Sequence, residues 1–343
     1  MTQPPSIAAA TCSDAPIWNA WMSAFHAPTL AIADELGVFS AVRDRPATAT
    51  ELAKLVGIEV RATEAIAGVM TALEFLVLAN GRYGLTDAAR TYLLPDSPYY
   101  WGGMLKRIRD NPLDCRKLID SLRRGSAAAE ARLSGMWQAP KPPAEALVAF
   151  THAMHAHSFA LAMRAMPAFG LGSVKRLLDV AGGSGSYSIA AAAHHAVLQV
   201  SLLDLPAVCG VASEYAAKHG VGARVTTIPG DMFAEAWPTG HERILLSDIF
   251  HDWDDAQCTL LARRAYEALP RGGRLMLHEM LLNDSKDGPA AAVAYSMVMV
   301  FVTEGRQRSA RELSDILTGV GFVDLRITMT AGGYALVEGT RAA

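Results

Sequence analysis

The sequence predicts an α/β protein: a mostly parallel seven-stranded sheet with helices on both faces, preceded by a smaller, helical domain of winged-helix pattern. Three observations predict it. From Lys175 onward, short apolar runs alternate with helical stretches, as expected of parallel strands joined by crossover helices. The first run, Leu177-Leu178-Asp179-Val180-Ala181-Gly182-Gly183-Ser184-Gly185, ends in an acid and a glycine-dense turn, and Asp204 follows 19 residues after Gly185. That is the layout of a nucleotide-type cofactor site. Glycines let the backbone approach the ligand, and an acid ending the next strand holds ribose hydroxyls. Before Lys175, finally, the chain carries mostly helix signals.

At 343 residues the chain is long for one core, so more than one domain is expected. The expected divisions are 1–95, a winged-helix-like domain; 96–172, connecting helices; and 173–343, a cofactor-binding domain. In the first, Thr48-Ala49-Thr50-Glu51 is a capping box, followed by Leu52, Leu55 and Val56 at helical spacing. A second helix is expected from Ala62 to Leu76, with Ile66, Val69, Met70 and Leu73 on one side. Phe75-Leu76-Val77-Leu78, the turn Asn80-Gly81 and Tyr83-Gly84-Leu85 then predict a small hairpin, the one exception to an all-helical domain. Between Thr48 and Leu94, four basic residues face five acidic ones, so this winged helix lacks the footprint of a phosphate-binding face. A dimerisation or packing role is expected instead.

The middle segment is interrupted by the loop Ala139-Pro140-Lys141-Pro142-Pro143. Strands are then expected at Arg176–Val180, Gln199–Asp204, Arg224–Pro229, Arg243–Asp248, Gly273–Glu279, Phe322–Met329 and Tyr334–Gly339, the last two as an antiparallel edge hairpin. Asp254 with Gln257, and Ser309 with Glu312, mark two helix starts.

Composition narrows the function. The chain is 51% hydrophobic, yet no apolar run is long enough to cross a bilayer. The alanine-rich start has two prolines and no basic region, so a frayed terminus is expected there rather than a signal peptide. Cys12, Cys115, Cys209 and Cys258 are far apart and form no CxxC pair, the pattern of reduced thiols in a cytoplasmic protein with no zinc site. A net charge of −3 gives no general attraction for nucleic acid or a membrane surface.

Ligands of such a sheet sit at the carboxyl ends of its strands. Those ends read Asp179 with its glycines, Asp204-Leu205-Pro206, Gly230-Asp231-Met232-Phe233, Ser247-Asp248 running into His251-Asp252-Trp253, and Glu279. One such acid is unremarkable as a helix cap. Five in succession on one edge imply a site.

Together with Thr303-Glu304-Gly305-Arg306, these motifs resemble, in order and spacing, those of S-adenosylmethionine-dependent small-molecule O-methyltransferases, including plant caffeic acid and flavonoid enzymes, the acetylserotonin enzyme and bacterial natural-product enzymes. The resemblance covers nearly the whole chain. It implies a Rossmann-like class I methyltransferase fold, S-adenosylmethionine as cofactor, a homodimer and a small-molecule acceptor, with 1–95 as the dimerisation domain, 96–172 contributing to the substrate pocket and 173–343 as the S-adenosylmethionine-binding catalytic domain. It also implies roles. Gly183 and Gly185, with Asp179 before them, lie against the methionine part of the cofactor. Asp204 and Leu205 take the ribose, and Asp231, Met232 and Phe233 the adenine. Ser158 lies near the cofactor carboxylate. Met154 and His157 face the acceptor, with Trp101, Met104, Phe159, Tyr295 and Met299 around them and Trp18 or Trp21 reaching in from a partner. His251 is the base and Glu279 the acid that orients it.

The chemistry agrees. Methyl transfer from a sulfonium is an in-line displacement, accelerated by alignment of the reactants. A hydroxyl is a poor nucleophile until its proton leaves, and histidine accepts protons near neutrality. His155 reads as packing, His194, His195, His219 and His241 as surface residues, and His278 as pointing away from the site if Glu279 points in.

The sequence departs from the family pattern at three positions. Ala181 replaces the first glycine of the turn. Ser247 stands where plant enzymes carry a lysine near the adenine. Gln307 stands where they carry a second glutamate beside the base, so that Glu279 alone supports it, or Glu304 substitutes for the missing glutamate, or the chemistry needs less base assistance. Methylation of carbon or nitrogen is an alternative, as is a relative that binds the cofactor without transferring methyl. An iron-dependent version is disfavoured, because no histidine lies in Tyr295 to Thr303 or after His278.

Overall fold

The structure, a computed structural model, describes residues 12–124, 137, 143–234 and 236–342. The terminus expected over 1–10 and the loop expected over 139–142 lie outside the described residues. The chain divides into two compact units, Met1–Pro112 and Leu113–Ala343.

The first unit is built from helices and one hairpin. The box at Thr48 forms as expected. Its side chain accepts from Glu51 N at 3.2 Å while Glu51 accepts from Thr48 N at 2.8 Å, opening the helix Ala49–Val56. The next helix runs Val60–Ala72, starting earlier and ending earlier than expected. Strands β1 (Leu76–Ala79) and β2 (Arg82–Leu85) pair antiparallel about Asn80-Gly81. Phe39, Leu52, Met70 and Leu76 are fully buried at its centre. The opening helix Ala15–Ser23 buries nothing, and Trp18 and Trp21 are half exposed.

The second unit holds a seven-stranded sheet in the order β5-β4-β3-β6-β7-β9-β8. Its strands are β3 (Arg176–Val180), β4 (Gln199–Asp204), β5 (Val225–Pro229), β6 (Arg243–Ser247), β7 (Arg274–Met280), β8 (Phe322–Met329) and β9 (Tyr334–Arg341). β3 to β7 are parallel, and β9 runs antiparallel between β7 and β8. The central strands read as near-continuous apolar runs because helices cover both faces. Leu177, Leu178, Leu202, Leu245, Leu246, Met276 and Leu277 all lose contact with water. From β3 the chain winds one way through β4 to β5, then returns to the other side with β6. That reversal opens a crevice at the carboxyl ends of β3, β4 and β6.

Most expected strand limits hold to within a residue or two. Arg224 instead ends a 3-10 turn, and Asp248 leaves β6 with φ 54°. His241, expected at the surface, is buried and shares a hydrogen bond with Ser201 Oγ at 2.9 Å. His278 and Glu279 do take opposite faces of β7. His278 meets Tyr187 and Thr330 at 2.9 and 2.8 Å, on the side away from His251. Among the described residues no helix is long and apolar enough to cross a membrane.

Candidate active site

The glycine turn closes on the acid of the next strand. Gly183 N donates to Asp204 Oδ2 at 2.8 Å, and Leu205 N donates to Asp204 Oδ1 at 2.7 Å. Each carboxylate oxygen therefore keeps lone pairs for an incoming hydroxyl. Gly183 and Gly185 turn with φ 58° and 76°, a region open to glycine at no steric cost, and Gly185 caps the helix Ser186–His194. Ala181 adopts φ 53° in the same turn, the strained choice for a residue with a Cβ. Asp179 lies beneath, buried, accepting from Ser188 Oγ at 2.6 Å.

Burial pushes Asp179 up to about 7 and Asp204 to about 6, with the Asp204 charge adding to the rise at Asp179. Both ionise more readily beside a cation. Further along the edge, Asp231 Oδ1 accepts from Phe233 N at 2.8 Å, and Met232 O accepts from Trp237 Nε1 at 2.9 Å. Phe233 meets Trp253 edge-on at 4.8 Å. Ser247 Oγ lies 3.5 Å from His278 O, a weak contact. A glycine cradle, an acid with spare acceptor capacity for a diol and two acids receptive to positive charge fit the donor set of an adenosyl sulfonium.

His251 sits in a 3-10 turn, Phe250–Asp252, directly after β6. Glu279, from β7, holds that turn with one oxygen and faces the imidazole with the other. Oε1 accepts from Ile249 N and Phe250 N at 3.1 and 2.9 Å, while Oε2 lies 3.2 Å from His251 Nδ1. Gln307 Nε2 is 3.3 Å from the same ring nitrogen, and Asp248 Oδ1 is 3.7 Å away. The opposite nitrogen, Nε2, has Asp252 Oδ1 at 3.6 Å. Burial alone would lower the imidazole pKa, but Asp252, Glu279 and Asp248 outweigh it and carry His251 up to about 10. Burial raises Asp248 and Asp252 to about 7 against the pull of that imidazolium. Asp248, His251 and Glu279 turn ligand-type atoms to within 4.8 Å of one another. Their separations are those of an imidazole paired with carboxylates.

The expected residues fall into place unevenly. Glu279 and Gln307 both reach His251, whereas Glu304 is exposed to solvent. Tyr295 meets the His251 ring edge-on at 5.3 Å and lies 6.3 Å from His157. His157 Nδ1 contacts Ser158 Oγ at 3.1 Å, and burial, reinforced by His251, lowers its pKa to about 4. Met299 is buried and Met154 half-buried on the helices Ala290–Val302 and Ala144–Ala165. Trp101 belongs to the first unit, where it packs on that unit's own core.

Two groups were missing from the expected set. Asp248 read as the last residue of a strand, but its left-handed backbone turns it toward His251. Asp252 was visible as the neighbour of His251, though nothing in the sequence says which side of the ring it takes.

Comparison with known proteins agrees with this architecture. The family model described as "O-methyltransferase domain" matches residues 116–323, and "O-methyltransferase dimerisation domain" matches residues 21–95. The chain is 33% identical over 319 residues to 3-hydroxy-5-methyl-1-naphthoate 3-O-methyltransferase of Streptomyces sahachiroi, covering 92% of this chain and 91% of the relative. Its fold is similar to human N-acetylserotonin methyltransferase in complex with SAM, with TM-score 0.83, 22% identity and coverage of 98% and 100%. It is also similar to PigF with SAH, with TM-score 0.79, 25% identity and coverage of 96% and 99%. With both models matched in order, and a relative above 30% identity along nearly its whole length, the chain belongs to the O-methyltransferase family.

Proposed function

We propose that the protein transfers a methyl group from S-adenosylmethionine to a hydroxyl of an aromatic or polyketide-like small molecule, as a homodimer, with His251 receiving the hydroxyl proton. One observation carries this: a buried imidazole stands at the sheet edge beside the glycine turn, one nitrogen held by Glu279 and the other turned away from it. When bound, the cofactor supplies an electrophilic methyl on a sulfonium. The rest is the work of side chains. Asp204, braced by two backbone N–H groups, presents its remaining lone pairs to the ribose. Asp179 and Asp204 supply negative charge to a cationic ligand. Glu279 faces Nδ1 of His251 and takes its proton in a hydrogen bond, with the Gln307 side chain packed beside the same nitrogen, so that Nε2 is the atom that meets the acceptor.

The proton is taken by the coupled set rather than by one group. In the proposed step the imidazolium first passes its Nε2 proton to Asp252 Oδ1, 3.6 Å away, and the lone pair so exposed takes the proton of the acceptor hydroxyl. The acceptor is aromatic in this proposal because Tyr295 meets the His251 ring edge-on with His157 beside it, and because the S. sahachiroi relative methylates a hydroxynaphthoate.

The test is a screen of phenols and naphthols with methyl-labelled cofactor, wild type beside His251→Ala. General-base assistance is worth about 10²–10⁴-fold. A loss of that size, with S-adenosylhomocysteine still bound in calorimetry, is the expected outcome. Full turnover by His251→Ala on a phenol overturns the assignment of the base.

A further inference from the structure

We propose that Arg308 is a positioning residue whose buried guanidinium clamps the turn carrying His251 and so sets where the imidazole stands. Arg308 is 3% exposed. Its Nη1 donates to Phe250 O at 2.6 Å and its Nη2 to Trp253 O at 2.9 Å. These two carbonyls bracket His251-Asp252. Nη2 and Nε both donate to Asp255 Oδ1, at 2.6 and 3.1 Å, at the start of the helix Asp255–Ala268. The planar fork thus spans the end of the turn and the first residue of the helix after it. A lysine ammonium, a point donor on a flexible stem, cannot hold that span.

The segment containing Arg308 touches the same turn twice more. Gly305 packs so closely on it that a Cβ there would collide with His251 O and Trp253 N. Gln307 reaches the ring itself at 3.3 Å. At its far end the segment is pinned by the Ser309–Glu312 capping box and by Arg306, which donates to Glu312 at 2.7 Å.

The turn has few other restraints. Glu279 accepts two N–H groups at its start, and Cys258 Sγ contacts Phe250 O at 3.2 Å. Among the described residues no other charged group is hydrogen-bonded to those two carbonyls. Arg308 and Glu279 therefore grip the turn from opposite polarities, cation on carbonyls and carboxylate on amides, with the imidazole between them. A displacement of about 1 Å at a reacting group is enough to cost about 10²-fold in rate.

The proposal rests on His251 as the proton acceptor, but its test needs no acceptor substrate. A histidine Nδ1–H held against a buried carboxylate gives a low-field proton resonance protected from exchange, identified here by its loss in His251→Gln. The experiment compares full-length wild type, Arg308→Lys and Asp255→Asn, each saturated with S-adenosylhomocysteine. The expected result is that this proton exchanges about tenfold faster in Arg308→Lys and several-fold faster in Asp255→Asn, while cofactor-product affinity stays within about twofold. Asp255 is largely exposed, so its variant decides the matter should Arg308→Lys fail to fold. Unchanged exchange in the folded variants overturns the proposal, as does a wild-type protein with no such resonance. Turnover by His251→Ala would instead remove the assignment of the base and leave the clamp standing.

Discussion

Replacing Asp179 with asparagine should stabilise the ligand-free protein at pH 8 and destabilise it at pH 4. Asp179 is 1% exposed, and burial holds its carboxyl near 7 against an ordinary value of about 3.9. Below pH 4 the group is protonated in folded and unfolded chains alike and costs nothing. Between 4 and 7 the unfolded chain ionises while the folded one does not. Stability then falls by about 1.4 kcal/mol per pH unit and levels off some 4 kcal/mol lower above pH 7. Asparagine removes that loss. It also gives up an acceptor, since Asp179 takes hydrogen bonds from both the hydroxyl and the backbone of Ser188, which costs about 1–2 kcal/mol at every pH.

The two effects cross near pH 5. Above it the variant gains about 2–3 kcal/mol, or roughly 4–12 °C in midpoint for a unit of this size. Below it the variant loses about 1–2 kcal/mol. Thermal scans of both proteins from pH 4 to 8.5, at matched rates, read the difference directly. A midpoint difference that keeps one sign across the range refutes the claim that Asp179 is held neutral by burial.

Two further outcomes are expected. Ala181→Gly should raise stability by about 1 kcal/mol, because alanine at φ 53° carries about 1–2 kcal/mol of strain that exceeds the added chain entropy of glycine; chemical denaturation measures it, and a destabilised variant contradicts it. His155→Phe should weaken S-adenosylhomocysteine binding about fivefold in calorimetry with the fold intact. The ring would keep its stack on Tyr215, at 3.6 Å, but lose its contacts with Ser184 and Ser186 at 3.0 and 3.2 Å, which hold the glycine turn; unchanged affinity contradicts it.

The sheet was legible because its central strands are buried on both faces and acids stand at or just beyond their carboxyl ends, a pattern that survives without neighbours. Both helix starts marked by Asp254 and Ser309 were legible for the same local reason: a cap and its partner lie three residues apart, and both form. The side chains around His251 were legible only in part. Glu279 could be placed because strand parity settles which way it points, and His278 confirms that parity on the opposite face. Asp248 could not, since its position depends on a left-handed residue that no periodicity announces. Arg308 read as one more charge in Arg306-Gln307-Arg308. Its burial becomes visible only once the carbonyls it meets, more than fifty residues earlier in the chain, are in place. His241 was misplaced because a lone histidine in a polar stretch gives no sign of the Ser201 hydroxyl waiting on β4.

The acids of the sheet edge share one physical condition that ties stability to binding. Asp179, Asp204, Asp248 and Asp252 are all pushed above the usual carboxylate range, and in each case burial is the largest cause. At neutral pH, holding such groups at the edge makes the empty protein less stable than one with neutral side chains there. A cation arriving among them removes part of that cost, so the strain of the empty site becomes affinity for positive charge. Among the described residues the pair nearest the glycine turn has no basic side chain as a hydrogen-bond partner, whereas the pair nearest β6 already encloses an imidazole. The edge is therefore graded: one end awaits its cation from a ligand, and the other carries its own on a group that can give up and take back a proton. A donor that is positive before transfer and neutral after it matches the first end, and an acceptor that sheds a proton matches the second.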